Sequence, residues 1–333
     1  MNRRAPFLLT VVVALLLQSA WGGLGIDGSS DAAHVSAGLN FRGAVVWVSG
    51  LTQSGVPFWE SGTYLDPYNV LMTAHQTIIG GQTPNYVAVG TGNNYSNSLG
   101  TVVGVHDYVK YQGYLVGGST PDLAIAHLSA PLLLPSGSGV NSIGGPITLN
   151  PMTFASVSQG ETIWGAGFGV YGTFTGGAHA QDGNSRAWNA PVDINSHGFN
   201  ANFYFAGNFS ASGGLGPMNG IGAQADSGGP WYDQFGNLVG ISTAANTGTA
   251  GYTLIQRLSD PTIQSWIQAN LFVPPTLQLQ RAGPNVVLTW SGAFTLQTAT
   301  NLTTGFTDVP GAASPYSNAV TADPQRFFRL RLN

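Results

Sequence analysis

Short apolar runs alternate with clusters of glycine, proline, serine and asparagine along most of the chain, and the three-to-four spacing of an amphipathic helix is rare. Runs rich in Val, Ile, Thr and aromatic residues, bounded by such turn formers, predict strands. A first strand is expected near Ala44 to Val48, another in Val70-Leu71-Met72-Thr73-Ala74-His75, and another in Asp122-Leu123-Ala124-Ile125-Ala126-His127-Leu128. One segment departs from this pattern. Ser259 to Leu271 carries a capping candidate, an early proline and apolar residues at helical spacing, which predicts a helix with Ile263, Trp266 and Ile267 on its buried face. After it, Val273-Pro274-Pro275-Thr276 predicts a stiff extended linker. Strand-like alternation then returns in Asn285 to Trp290 and in Gln325 to Leu332.

Composition sharpens this reading. With 47 Gly and 19 Pro spread over 333 residues, the fold class is all-β with many turns, and 43% hydrophobic content is enough for more than one domain. Only 7% of residues are charged and the net charge is −4, so there is no basic field to hold nucleic acid or an anionic membrane. Met1-Asn2-Arg3-Arg4 followed by the apolar run Phe7 to Leu17, then Ala20-Trp21-Gly22, predicts a secretory signal peptide over residues 1–22 and an exported protein, secreted or held in the cell envelope. The apolar run is too short to span a bilayer about 30 Å thick, so no stable membrane insertion is expected after cleavage. Residues 23–40, rich in Gly, Ser and Ala, predict an exposed leader segment. Export usually brings disulfides, yet the chain has no cysteine, so burial and hydrogen bonds must hold it.

The candidate chemistry centres on Ser227, in Gln224-Ala225-Asp226-Ser227-Gly228-Gly229-Pro230. A serine hydroxyl is a weak nucleophile until a base takes its proton, and the base works best when a buried carboxylate fixes its tautomer. His75 ends one predicted strand and Asp122 opens another, so both sit where an edge can present a side chain. The glycines after Ser227 let substrate backbone approach, and successive amides beside the serine can face a developing oxyanion. His34, His106, His127, His179 and His197 lack a matching partner pattern and show no metal-ligand spacing, so neither a metal nor another cofactor is expected.

The order His, Asp, Ser with the local sequences MTAH, DLAI and ADSGGP resembles the trypsin and chymotrypsin family of serine peptidases, whose signatures read roughly TAAH, DIAL and GDSGGP. Phe58 to Leu65, Trp164 to Gly169 and Gly240 to Thr243 extend the likeness, which covers roughly residues 40 to 271. The resemblance implies two sequential β-barrels over residues 41–272, closed by a C-terminal helix, then a 273–276 linker and a small β-module over 277–333. It also implies a protein or peptide substrate, catalytic His75, Asp122 and Ser227, and an oxyanion hole from the amides of Ala225 and Ser227. The family usually has glycine where this chain has Ala225. If that position needs a backbone angle disfavoured for a residue with a Cβ, the loop is strained or the amide turns away.

By the same alignment, a specificity pocket would have Ile221 at its base, Thr243, Ala244 and Ala245 as one wall and Gly251-Tyr252 as the far side. No acidic base is present, which favours apolar or small side chains over Lys or Arg. A freed aliphatic N-terminus pairing with the Asp before the nucleophile would correspond to Ile26 and Asp226. Many relatives carry a disulfide where this chain has Glu60 and Gln76, so those two residues are expected to face each other. The 277–333 segment resembles small β-modules at the C-termini of exported bacterial proteins, for which a structural cap or cell-surface attachment are both open. Two other readings remain: a catalytically impaired homologue acting as an exported binding module, and an esterase using the same triad.

Overall fold

A computed structural model describes residues 23–25, 29–78, 84–91, 102–114, 120–134, 140–142, 146–211, 214–302, 305–320 and 325–332. The expected signal peptide and Ile26 lie outside the described residues.

Six strands close the first barrel in the order Val45–Leu51, Pro57–Asp66, Asn69–Met72, Ala124–Leu128, Val102–Lys110 and Asn85–Gly90. The strands Val45–Leu51, Asn69–Met72 and Ala124–Leu128 are mostly apolar because both their faces are covered. Val46, Val48, Val70, Met72, Ala124 and Ala126 fill the barrel interior. Their neighbours Val45, Trp47, Leu71, Leu123 and Ile125 point the other way, since side chains alternate along a strand. There they pack with Ala166, Phe168, Tyr232, Leu238 and Ile241 of the second barrel, forming one apolar layer between the two halves.

The second barrel follows the order Asn237–Asn246, Pro230–Tyr232, Thr162–Gly167, Arg186–Asp193, Tyr204–Asn208 and Tyr252–Arg257, closed by pairing of the last strand with the first. Trp188, Trp231, Phe205 and Ile255 fill it. Room for Trp231 comes from Gly165, where an added Cβ would lie 2.6 Å from the indole. The helix Pro261–Ala269 is capped by Asp260, which accepts from the Thr262 and Ile263 amides. Ile263 and Ile267 are buried in the inter-barrel layer, and Trp266 is half-buried against Tyr111.

The expectation of an exposed leader is corrected. Gly23–Gly25 forms a strand, parallel to Tyr171–Thr173 and antiparallel to Gly220–Ile221, with Leu24 buried against Phe209 and Ile221. Asp31–Gly38 forms a helix against Arg186–Asp193. Close approach and charge dock it, rather than a hydrophobic stripe. Gly38 lies so near the Ser185 carbonyl that an added Cβ would sit 2.3 Å from it. The Arg186 guanidinium reaches Asp31 at 2.6 and 3.0 Å and Asp182 at 2.8 Å, and stacks on Tyr171. Such a contact between positions 155 residues apart leaves no local pattern.

After the helix, the Asn69 side chain exchanges hydrogen bonds with the Phe272 backbone, tying the exit to the first barrel. Residues beyond form two three-stranded sheets, ordered Gln278–Ala282, Asn285–Thr289, Tyr316–Ala319 and Thr307–Asp308, Phe294–Ala299, Phe327–Leu332. Leu288 and Leu296 are fully buried there.

Candidate active site

Thr73 follows the strand Asn69–Met72, and a tight turn beginning at His75 comes next, held by the Thr77 hydroxyl donating to the Ala74 carbonyl. Because Met72 pairs with Ala124, the segment just before Ala124–Leu128 runs beside that turn. Asp122 thereby meets His75. One carboxylate oxygen accepts the His75 backbone amide at 2.9 Å, and the other lies 2.6 Å from Nδ1. The second barrel also holds Asp122, through its amide donated to Gln256 Oε1 at 2.7 Å. Ser227 arrives from the turn before Pro230–Tyr232, and its Oγ lies 2.9 Å from His75 Nε2. The three predicted side chains thus form one hydrogen-bonded line across the barrel interface.

With Nδ1–H donating to the carboxylate, Nε2 is left as an acceptor for the serine proton. Burial works against a charged imidazole here. Even so, the Asp122 charge and hydrogen bond, with a smaller contribution from Glu60, hold the His75 pKa above its ordinary value. Asp122 is nearly buried, at 7% exposure, so its charge acts with little screening.

Ala225 has φ 70°, in the left-handed region. The departure from glycine therefore falls where a Cβ is disfavoured, at a cost of about 1–2 kcal/mol. Its amide is not turned inward, however. The Gln224 carbonyl accepts from Val170 at 3.2 Å and the Asp226 carbonyl from Gly229 at 2.9 Å. In a trans peptide the next N–H points the opposite way. The N–H groups of Ala225 and Ser227 donate to nothing among the described residues.

Asp226 is buried at 2% exposure, and its carboxylate accepts the amides of Gly169 at 2.8 Å and Ala223 at 2.9 Å. Its expected partner Ile26 is outside the described residues. Glu60 and Gln76 do face each other, close enough for the Gln76 side chain to favour the ionised Glu60 carboxylate. Burial, opposed by the His75 charge and by Gln76, pushes the Glu60 carboxyl up to about 7.

The pocket is placed differently from the expectation. Ile221 is fully buried with Leu24 and Phe209 and paired to Leu24 in a strand, so it belongs to the interior and not to the base of a cleft. Gly222, the next residue, is buried as well. Its amide donates to Thr253 Oγ1 at 2.8 Å, and a Cβ there would lie 3.3 Å from Ser242 Oγ and 3.4 Å from the Trp188 ring. Thr243 is buried and donates to the Leu254 carbonyl, whereas Ala244 and Ala245 are exposed. Tyr252 stacks on His197 with ring centres 3.7 Å apart. Sequence reasoning did not single out Gly222 or the Ser242, Thr253 and Trp188 side chains that surround it. The alternation of the strand Gly220–Ile221 decides which side chain faces inward, and two residues are too few to display it.

Two closed barrels with a Ser, His and Asp line at their junction define a chymotrypsin-like fold. A family model described as Trypsin matches residues 42–267, and the chain belongs to that family. Among solved structures, one described as "Structure of GrC" is similar with a TM-score of 0.52 and 18% identity, covering 74% of this chain and 97% of its own. An HL collagenase structure is similar with a TM-score of 0.50 and 15% identity, covering 74% and 96%. No curated protein sequence matches the chain.

Proposed function

We propose that the protein is an exported serine endopeptidase that hydrolyses peptide bonds through Ser227, His75 and Asp122. The observation that carries this reading is the hydrogen-bonded line from Asp122 through both ring nitrogens of His75 to the Ser227 hydroxyl. Ser227 Oγ attacks the scissile carbonyl as its proton passes to His75 Nε2. The tetrahedral intermediate then collapses as His75 returns that proton to the leaving amine, which departs and leaves an acyl-enzyme. Water attacks the ester by the reverse use of the same base, releasing the acid and restoring the serine. Asp122 orients His75 and stabilises its cation. The undonated amides of Ala225 and Ser227 are placed to receive the oxyanion, which favours an active enzyme over an impaired binding module.

Gly222 is the proposed floor of the pocket: its direct bond to Thr253 closes the depth, and the side chains nearest it, Ser242, Trp188 and Thr253, carry no charge. Small uncharged side chains fit such a slot, and Lys or Arg would be buried there unpaired. The 277–333 module serves as a cap or as attachment to the cell surface. A fluorophosphonate reagent, with the adduct located by mass spectrometry beside a Ser227→Ala control, tests the nucleophile. A panel of peptides and simple esters tests the reaction. Labelling at Ser227 alone, with faster cleavage after Ala than after Phe or Lys, is expected. No labelling and no cleavage would overturn the reading, and ester turnover without peptide turnover would replace it with an esterase.

A further inference from the structure

We infer that Ser61, Thr63 and Gln76 are positioning residues that hold the nucleophile turn from the opposite barrel, an inference that rests on the reading of Ser227 as nucleophile. All three are fully buried, and each donates to a carbonyl of that turn. Ser61 Oγ reaches Ala225 O at 2.8 Å, Gln76 Nε2 reaches Ser227 O at 2.9 Å, and Thr63 Oγ1 reaches Gly228 O at 2.7 Å. Because C=O and the following N–H point oppositely in one rigid plane, fixing a carbonyl fixes the next amide too. Those next amides are also engaged: Asp226 N on Ala223 O, Gly228 N on Ser242 O and Gly229 N on Asp226 O, each at 2.9 Å. Three peptide planes are therefore pinned at both ends, one edge by the first barrel and one by the second.

The two other planes of the turn, 224/225 before them and 226/227 between them, are held by their carbonyls alone, which leaves the amides of Ala225 and Ser227 free to face a substrate. Ser61 has a further task. Its hydroxyl accepts from Phe168 N while donating to the carbonyl of Ala225, the residue held in the left-handed region. Gln76 directly follows the base, His75. Its oxygen accepts the Thr73 amide and hydroxyl at 2.6 and 2.8 Å, and its nitrogen also donates to Ser61 O at 3.0 Å. The same side chain thus secures the turn that carries the base and the carbonyl of the nucleophile, and so sets the gap between Nε2 and Oγ.

The test compares the full-length protein with Thr63→Val, Thr63→Ser and Gln76→Met. Thr63→Val keeps the volume and loses the donor, and Thr63→Ser keeps the donor. For Thr63→Val and Gln76→Met, kcat falls about 10- to 100-fold with KM nearly unchanged, the scale of a sub-ångström misplacement at the reacting atoms. Fluorophosphonate labelling of Ser227 slows in parallel, and Thr63→Ser recovers most of the loss. Hydrogen exchange of the Gly228 and Gly229 amides, measured without substrate, quickens in both deficient variants. Lowered melting temperature with kcat, labelling and exchange all unchanged at 25 °C would overturn the inference and leave the nucleophile reading intact. Quickened exchange in the variants, with no labelling even of the unaltered protein, would instead uphold the clamp and overturn the nucleophile.

Discussion

The nucleophile turn holds two residues in the left-handed region, Ala225 at φ 70° and Gly228 at φ 81°, and their surroundings predict opposite responses to exchange. A Cβ at Gly228 would lie 2.5 Å from the Ser61 carbonyl oxygen, 2.8 Å from Gln76 Oε1 and 3.3 Å from the Met72 Cα. Two of these atoms are strand backbone, and the third belongs to a side chain bonded on all sides, so none can retreat cheaply. Gly228→Ala therefore incurs about 1–2 kcal/mol of left-handed strain and about 1–3 kcal/mol of overpacking, roughly 2–5 kcal/mol in all. A domain of this size loses about 2–4 °C of melting temperature per kcal/mol, so a drop of roughly 4–20 °C follows. Ala225→Gly relieves about the same strain but adds about 0.5–1 kcal/mol of unfolded-chain freedom, for a net gain of at most about 1.5 kcal/mol. Thermal melts by circular dichroism, all in a Ser227→Ala background to prevent self-cleavage, measure both. A Gly228→Ala melt within about 2 °C of its parent, or an equal fall for Ala225→Gly, would refute the reasoning.

Three further outcomes are expected. Asp122→Asn loses about 10⁴-fold in kcat, because an amide offers one acceptor where the carboxylate serves both the His75 backbone and Nδ1; steady-state kinetics on a cleaved peptide measures it. Glu60 has a raised folded pKa, so the folded state binds its proton more tightly than the unfolded one and stability falls as pH rises from 4.5 to about 7. Glu60→Gln removes that fall, gaining stability over its parent in melts at pH 8 but not at pH 4. Because ionised Glu60 also raises the His75 pKa, the acid limb of kcat/KM moves to lower pH in the variant. Arg186→Leu costs about 1–2 kcal/mol in denaturant unfolding at pH 7: the buried guanidinium holds both Asp31 and Asp182, but these carboxylates are 51% and 30% exposed and water takes up much of what is lost. Burial alone would raise the Asp182 pKa, yet Arg186 and Asn184 hold it down to about 2, so the deficit shrinks as pH falls from about 4 through 2.

The catalytic candidates were legible because each lies at the end of an element whose local chemistry is strong. His75 follows the apolar strand Asn69–Met72, Asp122 precedes Ala124–Leu128, and the pairing of those two strands joins them. The terminal helix was equally plain, with Asp260 and Pro261 marking its start. Less legible was anything that depends on which face a short strand presents. Ile221 looked like a pocket base in linear alignment, and pairing with Leu24 turns it into the interior. Nothing near Ser61 and Thr63 in sequence reveals that a second barrel covers them, since their partners Ala225 and Gly228 lie 164 and 165 residues away. The segment Asp31–Gly38 has no apolar stripe to announce a docked helix, and its anchor, Arg186, is distant in the chain.

The absence of cysteine separates two tasks that a covalent bridge could combine. Cohesion between the barrels comes from the apolar layer of Trp47, Leu71, Ile125, Phe168, Tyr232 and Ile241, whose burial at about 25 cal/mol per Å² is strong but without direction. Alignment comes from hydrogen bonds that cross the same boundary: Asp122 to Gln256, Tyr204 to the Thr120 carbonyl, and Ser61, Thr63 and Gln76 to the nucleophile turn. Each contributes only about 0.5–1.5 kcal/mol net, yet leaving a buried partner unmatched costs about 1–3 kcal/mol. A sliding of one barrel against the other would break several at once and is therefore steeply opposed, although the apolar layer alone would permit it. The register of the base against the nucleophile is thus set by polar side chains that add little to overall stability. Truncations in the apolar layer should lower stability first, whereas truncations among the crossing hydrogen bonds should lower turnover first.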